Sequence, residues 1–150
     1  MGSVRYEKMN ILKLLKPKAV IDYVYSDCTV RQAIEKMRNH GFTAIPVIDR
    51  EGGYVKAIAE GDFLHFMLDN NIFDIRGLEQ YSISDIPRRV RSEPVSVTAT
   101  VEELVLLAMN QNFVPVIDDR KVFIGIVTRS DILQYCHTMI KENKERENGQ

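Results

Sequence analysis

Two stretches of the chain nearly repeat each other. Ile45-Pro46-Val47-Ile48-Asp49 returns as Val114-Pro115-Val116-Ile117-Asp118, displaced by 69 residues. Ala59-Glu60-Gly61-Asp62-Phe63-Leu64 aligns with Thr128-Arg129-Ser130-Asp131-Ile132-Leu133 at the same displacement. A repeat of this period constrains the architecture before any single residue is read. Each copy is one supersecondary unit that must bury its apolar face against its neighbour. At 150 residues the chain has room for two small cores sharing an interface.

Each copy reads as the same series of elements. It opens on a short extended segment, Ala19 to Tyr25 in the first copy and Pro94 to Thr98 in the second. A helix follows. Thr29-Val30-Arg31-Gln32 and Thr100-Val101-Glu102-Glu103 both fit a capping box, in which a hydroxyl and a Gln or Glu side chain satisfy each other's free amides. Val30, Ala33, Ile34, Met37 and Val101, Leu104, Val105, Ala108 recur at i, i+3, i+4, i+7, one face of a helix. Gly41 and Asn112 stand where a left-handed C-terminal residue is wanted. Two strands and a second helix, opened by Asp62 or Asp131, complete a β-α-β-β-α unit. The proline inside each first strand predicts an edge position or an irregular start, because proline cannot donate to a ladder.

The copies differ locally. From Thr29/Thr100 to Phe42/Phe113 the displacement is 71, and from Ile45/Val114 onward it is 69. The second copy is therefore expected to lack counterparts of Thr43 and Ala44 at the strand entrance. The expected organisation is a first unit over 8–68, a linker over 69–84 broken at Asn70-Asn71 and Gly77, a second unit over 85–138 and a fraying polar tail over 139–150.

Composition narrows the function. A formal net charge of -1 gives no general attraction to nucleic acid or anionic lipid. No apolar run approaches the roughly 18 residues of a membrane span, and the N-terminus lacks the order of a signal peptide. Cys28 and Cys136 are too isolated for a disulfide framework or a metal site, so a cytoplasmic protein with reduced thiols is expected. His40, His65 and His137 have no metal spacing, and no nucleophile-elbow, P-loop or HExxH motif is present. The expectation is a non-enzyme with no cofactor or metal.

Gly125-Ile126-Val127-Thr128-Arg129-Ser130-Asp131, taken with the repeat and the two PVID strands, resembles the strand-to-helix signature of CBS domains. The resemblance covers roughly residues 10 to 138 and implies a tandem pair, the Bateman module. That is a mixed α/β (α+β) fold of two repeats packed with pseudo-two-fold symmetry. Such pairs commonly bind adenine-containing ligands between the copies and act as sensors. They often associate as homodimers, for which His65, Phe66, Met67 and Leu68 are candidates. A separate regulated protein is the expected partner, with no nucleic acid and no membrane. Gly41 to Pro46, Asp85 to Arg88, Asn112 to Val114 and Val122 to Ile126 further resemble stand-alone bacterial CBS proteins that bind cyclic di-AMP.

The resemblance implies two clefts, unequally equipped. The first takes Thr128, Arg129, Ser130 and Asp131 from the second copy. From the first copy it takes Val20, Ile21, Asp22, Phe42, Thr43, Ala44, Ile45 and Pro46, with Lys18 for phosphate charge. An aspartate at a helix start suits ribose hydroxyls, and it equally suits a plain helix cap. The second cleft would use Asp62, but it has Ala59 for the threonine, Lys56 for the glycine and the two-residue gap. Arg88, Arg89 and Arg91 beside it are read as a solvated patch. Asp131 suits the free ribose diol of AMP, ADP or ATP. Cyclic di-AMP, which keeps only the 2′-hydroxyl for that contact, stays open as the alternative. A ligand-free oligomerisation module is the other.

Overall fold

In a computed structural model, residues 10–40, 43–88 and 92–149 are described. The first repeat runs β2 (Val24–Tyr25), α1 (Val30–His40), β3 (Ala44–Ile48), β4 (Tyr54–Ala59) and α2 (Glu60–Asp69). The second runs β5 (Val95–Ser96), α4 (Val101–Ala108), β6 (Phe113–Ile117), β7 (Phe123–Thr128) and α5 (Arg129–Asn148). Strand β1 (Lys16–Pro17) precedes both, and α3 (Ile75–Glu79) lies between them. The first sheet has the order β2-β3-β4, and the second β1-β7-β6-β5.

Register proves the repeat in three dimensions. Ala44 faces Ala59 across β3–β4, and Phe113 faces Thr128 across β6–β7. Both ladders shift register in the same place, at Val47/Ile48 and at Val116/Ile117. The two units meet through equivalent residues. Gly53 bridges Val122, and the Tyr54 ring stacks on Phe123 with centroids 6.1 Å apart. Each of these pairs is one residue and its own repeat counterpart, which places the pseudo-two-fold axis between the hairpins.

Each repeat keeps its own core. Val30, Ala33, Met37, Ile45, Val47, Ile58 and Phe63 bury in the first, joined by Ile72, Ile83 and Ile86 from the connecting segment. Leu104, Ala108, Val114, Val116, Val127 and Ile132 bury in the second. Val105, on the expected inner face, is 36% exposed. Ile11 is fully buried in the second core, with Leu14 and Leu15 packed around it. Strand β1 pairs with β7, Lys16 opposite Ile126 and Pro17 opposite Gly125. Residues 11–17 thus stand on the second repeat, although the sequence places them before the first.

Several local expectations need correction. The segment Ala19 to Tyr25 is not one strand: a 3-10 turn covers Lys18–Val20 and pairing begins at Val24. Asp62 and Asp131 do not open their helices. Ala59 and Thr128 are the N-caps, and the aspartates sit three residues in. The Thr29–Gln32 box is reciprocal, with both bonds made. At Thr100 the hydroxyl accepts the Glu103 amide. Pro46 and Pro115 lie in the middle strands of their sheets, not on edges. Their partners β2 and β5 begin pairing only at Val47 and Val116, so each proline stretch is flanked on one side alone. Asn71 is left-handed (φ 54°), while Asn112 is not among the residues of positive φ. Gly77 lies inside α3, whose first turn Asp74 caps. The expected frayed tail is the exposed continuation of α5 to Asn148. Gly41 lies outside the described residues.

The largest correction concerns the two-residue gap. The Glu60 amide donates to the Thr43 carbonyl, and the Arg129 amide donates to the Asn112 carbonyl. Asn112 and Phe113 are therefore the counterparts of Thr43 and Ala44, and neither position is missing. The shortening falls at the helix end instead: α1 spans 11 residues and α4 only 8. A helix terminus can give up part of a turn, whereas the β6–β7 ladder holds Phe113 opposite Thr128.

Candidate functional site

A cavity of about 300 Å³ opens between the repeats. The first repeat and the turn before it supply Val20, Ile21, Asp22, Thr43, Ala44 and Pro46. The second supplies Asn112, Phe113, Ile126 and Thr128, and strand β1 supplies Lys16. The 3-10 turn over Lys18–Val20 brings Ile21 and Asp22 to the rim. The β3–β4 ladder holds Ala44 and Pro46 side by side with their outer faces to the gap. Apolar walls with a few polar groups at the mouth suit a flat, partly polar ligand.

The expected residues are not all gathered there. Thr128 lines the cavity, and its Oγ1 accepts the Asp131 amide at 3.1 Å. That bond uses an acceptor lone pair and leaves the hydroxyl proton to be donated elsewhere. Asp131 stands beside the cavity, in a hollow of about 360 Å³ shared with Lys13, Leu14, Leu15, Lys16, Gln134, Tyr135 and Thr138. Its carboxylate lies 3.8 Å from the Lys16 ammonium. Arg129 and Ser130 line a third hollow, of about 590 Å³, with Asn112, Leu133, Gln134 and His137. Arg129 Nε donates to the Ala108 carbonyl at 2.7 Å and so closes the end of α4. Ile45 is fully buried in the first core. The Lys18 ammonium lies 5.1 Å from the centre of the Tyr23 ring. Phe42 lies outside the described residues.

Lys16, Asn112, Phe113 and Ile126 line the cavity without being among the residues expected there from the sequence. Ile126 and Asn112 have a usable signal, since Ile126 precedes Thr128 by two residues on the same strand and Asn112 stands at the entrance of the strand paired with it. Lys16 has none, because its place depends on β1 joining the sheet of the other repeat.

The opposite cleft is smaller. It encloses about 100 Å³, lined by Ala44, Ala57, Ala59, Asp62, Ser92, Asn110, Gln111, Asn112 and Phe113. Asp62, Ser92 and Gln111 in its lining are each already hydrogen-bonded within the protein. Asp62 is buried, and its carboxylate accepts the Ala59 amide at 2.8 Å. Ser92 Oγ accepts the Ala57 amide at 2.9 Å and bonds the Tyr54 hydroxyl at 2.6 Å. Burial pushes the Tyr54 phenol up to about 12, against the pull of its bond to Ser92. Gln111 accepts the Glu93 amide and donates to the Glu93 and Phe113 carbonyls. Phe113 stands where the first repeat has Ala44, and both residues border both clefts. Arg88, expected in a solvated patch here, lies 3.3 Å from Glu93 in an exposed ion pair, while Arg89 and Arg91 lie outside the described residues.

Lys56 explains the rest of the asymmetry. Its ammonium donates to the Ile83 carbonyl at 3.0 Å and the Ile86 carbonyl at 2.6 Å, and the residue is buried. Burial lowers its pKa, against the opposing charges of Asp62 and Asp85. At the equivalent position Gly125 lets β1 lie directly on β7, since an added Cβ would overlap the Lys16 carbonyl oxygen. One repeat therefore closes on a strand and the other on a lysine brace.

Among the described residues no helix is long and apolar enough to cross a membrane, and no group of three or more His, Cys, Asp or Glu side chains gathers as a metal site.

These two units are CBS domains. The family model for the CBS domain matches residues 15–69 and 83–138, and the chain belongs to that family. A CBS domain-containing protein of Dictyostelium discoideum is 26% identical over 132 residues, covering 82% of this chain and 88% of its own. The A-adding tRNA nucleotidyltransferase of Aquifex aeolicus (strain VF5) is 27% identical over 143 residues, covering 95% of this chain, which spans only 16% of that enzyme. Among solved structures, CbpB in complex with c-di-AMP superposes with a TM-score of 0.79 at 21% identity, over 92% of this chain and 91% of that one. CBSX2 in complex with AMP superposes with a TM-score of 0.68 at 20% identity, over 87% and 97%. The tandem CBS architecture expected from the sequence is thereby shown.

Proposed function

We propose that the chain is a non-catalytic regulatory module that takes an adenine nucleotide between its two CBS domains and signals to a separate protein. The carrying observation is the cavity of about 300 Å³ built from both repeats. Its size is at the lower end for small-molecule sites and matches one nucleoside better than two. The opposite cleft, at about 100 Å³, falls well below that range. In this reading the base lies between Ile21, Ala44 and Ile126, the Thr128 hydroxyl donates at the rim, and Asp131 accepts from the ribose.

Cyclic di-AMP is the second reading, and two observations favour it. The similar CbpB structure holds c-di-AMP. The cavity also shares Asn112 and Thr128 with the hollow of about 590 Å³, room for a second nucleoside outside the first. The similar CBSX2 structure holds AMP, in keeping with a mononucleotide. A second copy of the chain would cover the groove between α1 and α2, lined by Ile34, Met37, Phe63, Leu64 and Met67 with Arg38 and Glu60 on its lining. Phe66, expected at that surface, is buried in the first core instead. A two-fold contact would set each Arg38 near the partner's Glu60, and a monomeric mass by light scattering would remove this part of the reading.

Calorimetric titration with AMP and cyclic di-AMP in parallel tests the site. Asp131→Ala is expected to cost roughly 1.5–3 kcal/mol of binding, the loss of charged hydrogen bonds, or about 10- to 150-fold in affinity. Asp62→Ala should leave affinity unchanged while lowering stability by about 1 kcal/mol, the loss of its capping bond. Equal losses from the two variants would overturn the assignment. No heat from either ligand would leave the oligomerisation module standing.

A further inference from the structure

Lys16 occupies a place no other cation shares among the described residues. It lines the cavity between the repeats, and it also lines the adjoining hollow that holds Asp131. It is thus the one side chain common to both, at the point where a ligand leaving the inner cavity would pass the aspartate. Its Nζ lies 3.8 Å from Asp131 Oδ2, a distance longer than a good charged hydrogen bond. The two side chains are 51% and 37% exposed. An ion pair so open to water contributes little to stability, so exchanging its partners costs little.

The geometry points to Lys16 as the residue that distinguishes a phosphorylated adenine ligand from the bare nucleoside: its ammonium leaves Asp131 for the ligand's phosphate as the ribose hydroxyls take up the carboxylate. This rests on the adenine reading above. Backbone pairing fixes the location. Lys16 lies opposite Ile126 in the β1–β7 ladder, and Ile126 itself lines the cavity, two residues before Thr128. The side chain is held by a strand, while its flexible stem lets the ammonium reach either hollow. Lysine acts on phosphate as a point charge and needs no fixed fork of donors. Lys13 borders only the outer hollow, where further phosphates would run. Lys18 borders neither, its ammonium lying over Tyr23.

The test compares adenosine with AMP by calorimetry on the wild-type full chain, Lys16→Gln and Lys16→Arg. Lys16→Gln should weaken AMP about 10-fold, one charge-assisted hydrogen bond, and adenosine less than about 2-fold. Lys16→Arg should keep AMP within about 3-fold of wild type. The AMP advantage over adenosine should shrink with added salt in the wild type and hardly change in Lys16→Gln, because screening acts on the charge pair. Thermal melting checks that the variants keep β1 in place; the substitution leaves the backbone of the strand unchanged. Equal losses of adenosine and AMP in Lys16→Gln, or no loss of either, would overturn the assignment of Lys16 alone. A wild-type chain that binds neither probe would overturn the adenine reading itself, and this assignment with it.

Discussion

Ile11→Ala should lower the stability of the chain by about 2–5 kcal/mol, the cost of emptying a large buried aliphatic site. Ile11 is fully buried, yet it sits near the start of the chain and packs among Leu104, Val114, Val127 and Ile132, about a hundred residues away. Its neighbours Leu14 and Leu15 lie against the same core, and β1 then adds to the edge of β7. The loss should therefore appear in the second repeat. Amide exchange over Phe123–Thr128 should quicken while Ala44–Ile48 keeps its protection, because local opening follows the contacts removed. Urea unfolding measures the total. A loss below about 0.5 kcal/mol, the size of an ordinary surface substitution, would mean that residues 11–17 do not belong to that core.

The same segment marks the limit of what the sequence tells. Elements defined by neighbours within a few residues are legible. The reciprocal Thr29–Gln32 cap is made as its spacing demands, and the PVID strands take equivalent places in both sheets. Contacts between distant residues of unlike sequence leave no periodic trace. Nothing in Lys16-Pro17 announces a strand two residues long, because its partner at Gly125 and Ile126 lies in the other repeat. The candidate site was legible from the side that carries the repeat, at Thr43, Ala44 and Thr128, and obscure from the side that carries β1. The two-residue gap shows a different failure. Matching Phe42 to Phe113 by identity shifts the alignment into the strand. The backbone bonds Glu60 to Thr43 and Arg129 to Asn112 show that the shift belongs to the helix end. Lys56 shows a third. In sequence it is a departure from glycine, and in the fold it holds the Ile83 and Ile86 carbonyls that close the first repeat.

Gly125→Val should weaken both stability and binding, and the link between the two losses follows from one contact. An added Cβ at 125 would overlap the Lys16 carbonyl oxygen and stand 2.9 Å from Leu15 Cδ1 and 3.0 Å from Pro17 Cα. Two of these three atoms are backbone, so a side-chain rotation cannot relieve the crowding. Strand β1 must lift from β7, at the roughly 1–3 kcal/mol typical of overpacking. Lifting β1 withdraws Lys16 from the cavity and loosens Ile126 beneath it. Affinity for AMP should fall by at least the loss given by Lys16→Gln, while the opposite cleft, whose walls do not touch β1, stays closed by its own bonds. Calorimetry on the folded variant at low temperature separates the two effects. If Gly125→Val loses stability and binds AMP as the wild type does, β1 serves the core alone and Lys16 has no part in the site. If it loses neither, the strand does not lie on Gly125 at all. The glycine is needed there for the room it leaves and for its φ of 157°, which L side chains rarely adopt, and in the other repeat a lysine fills the same position, where no strand comes to lie upon it.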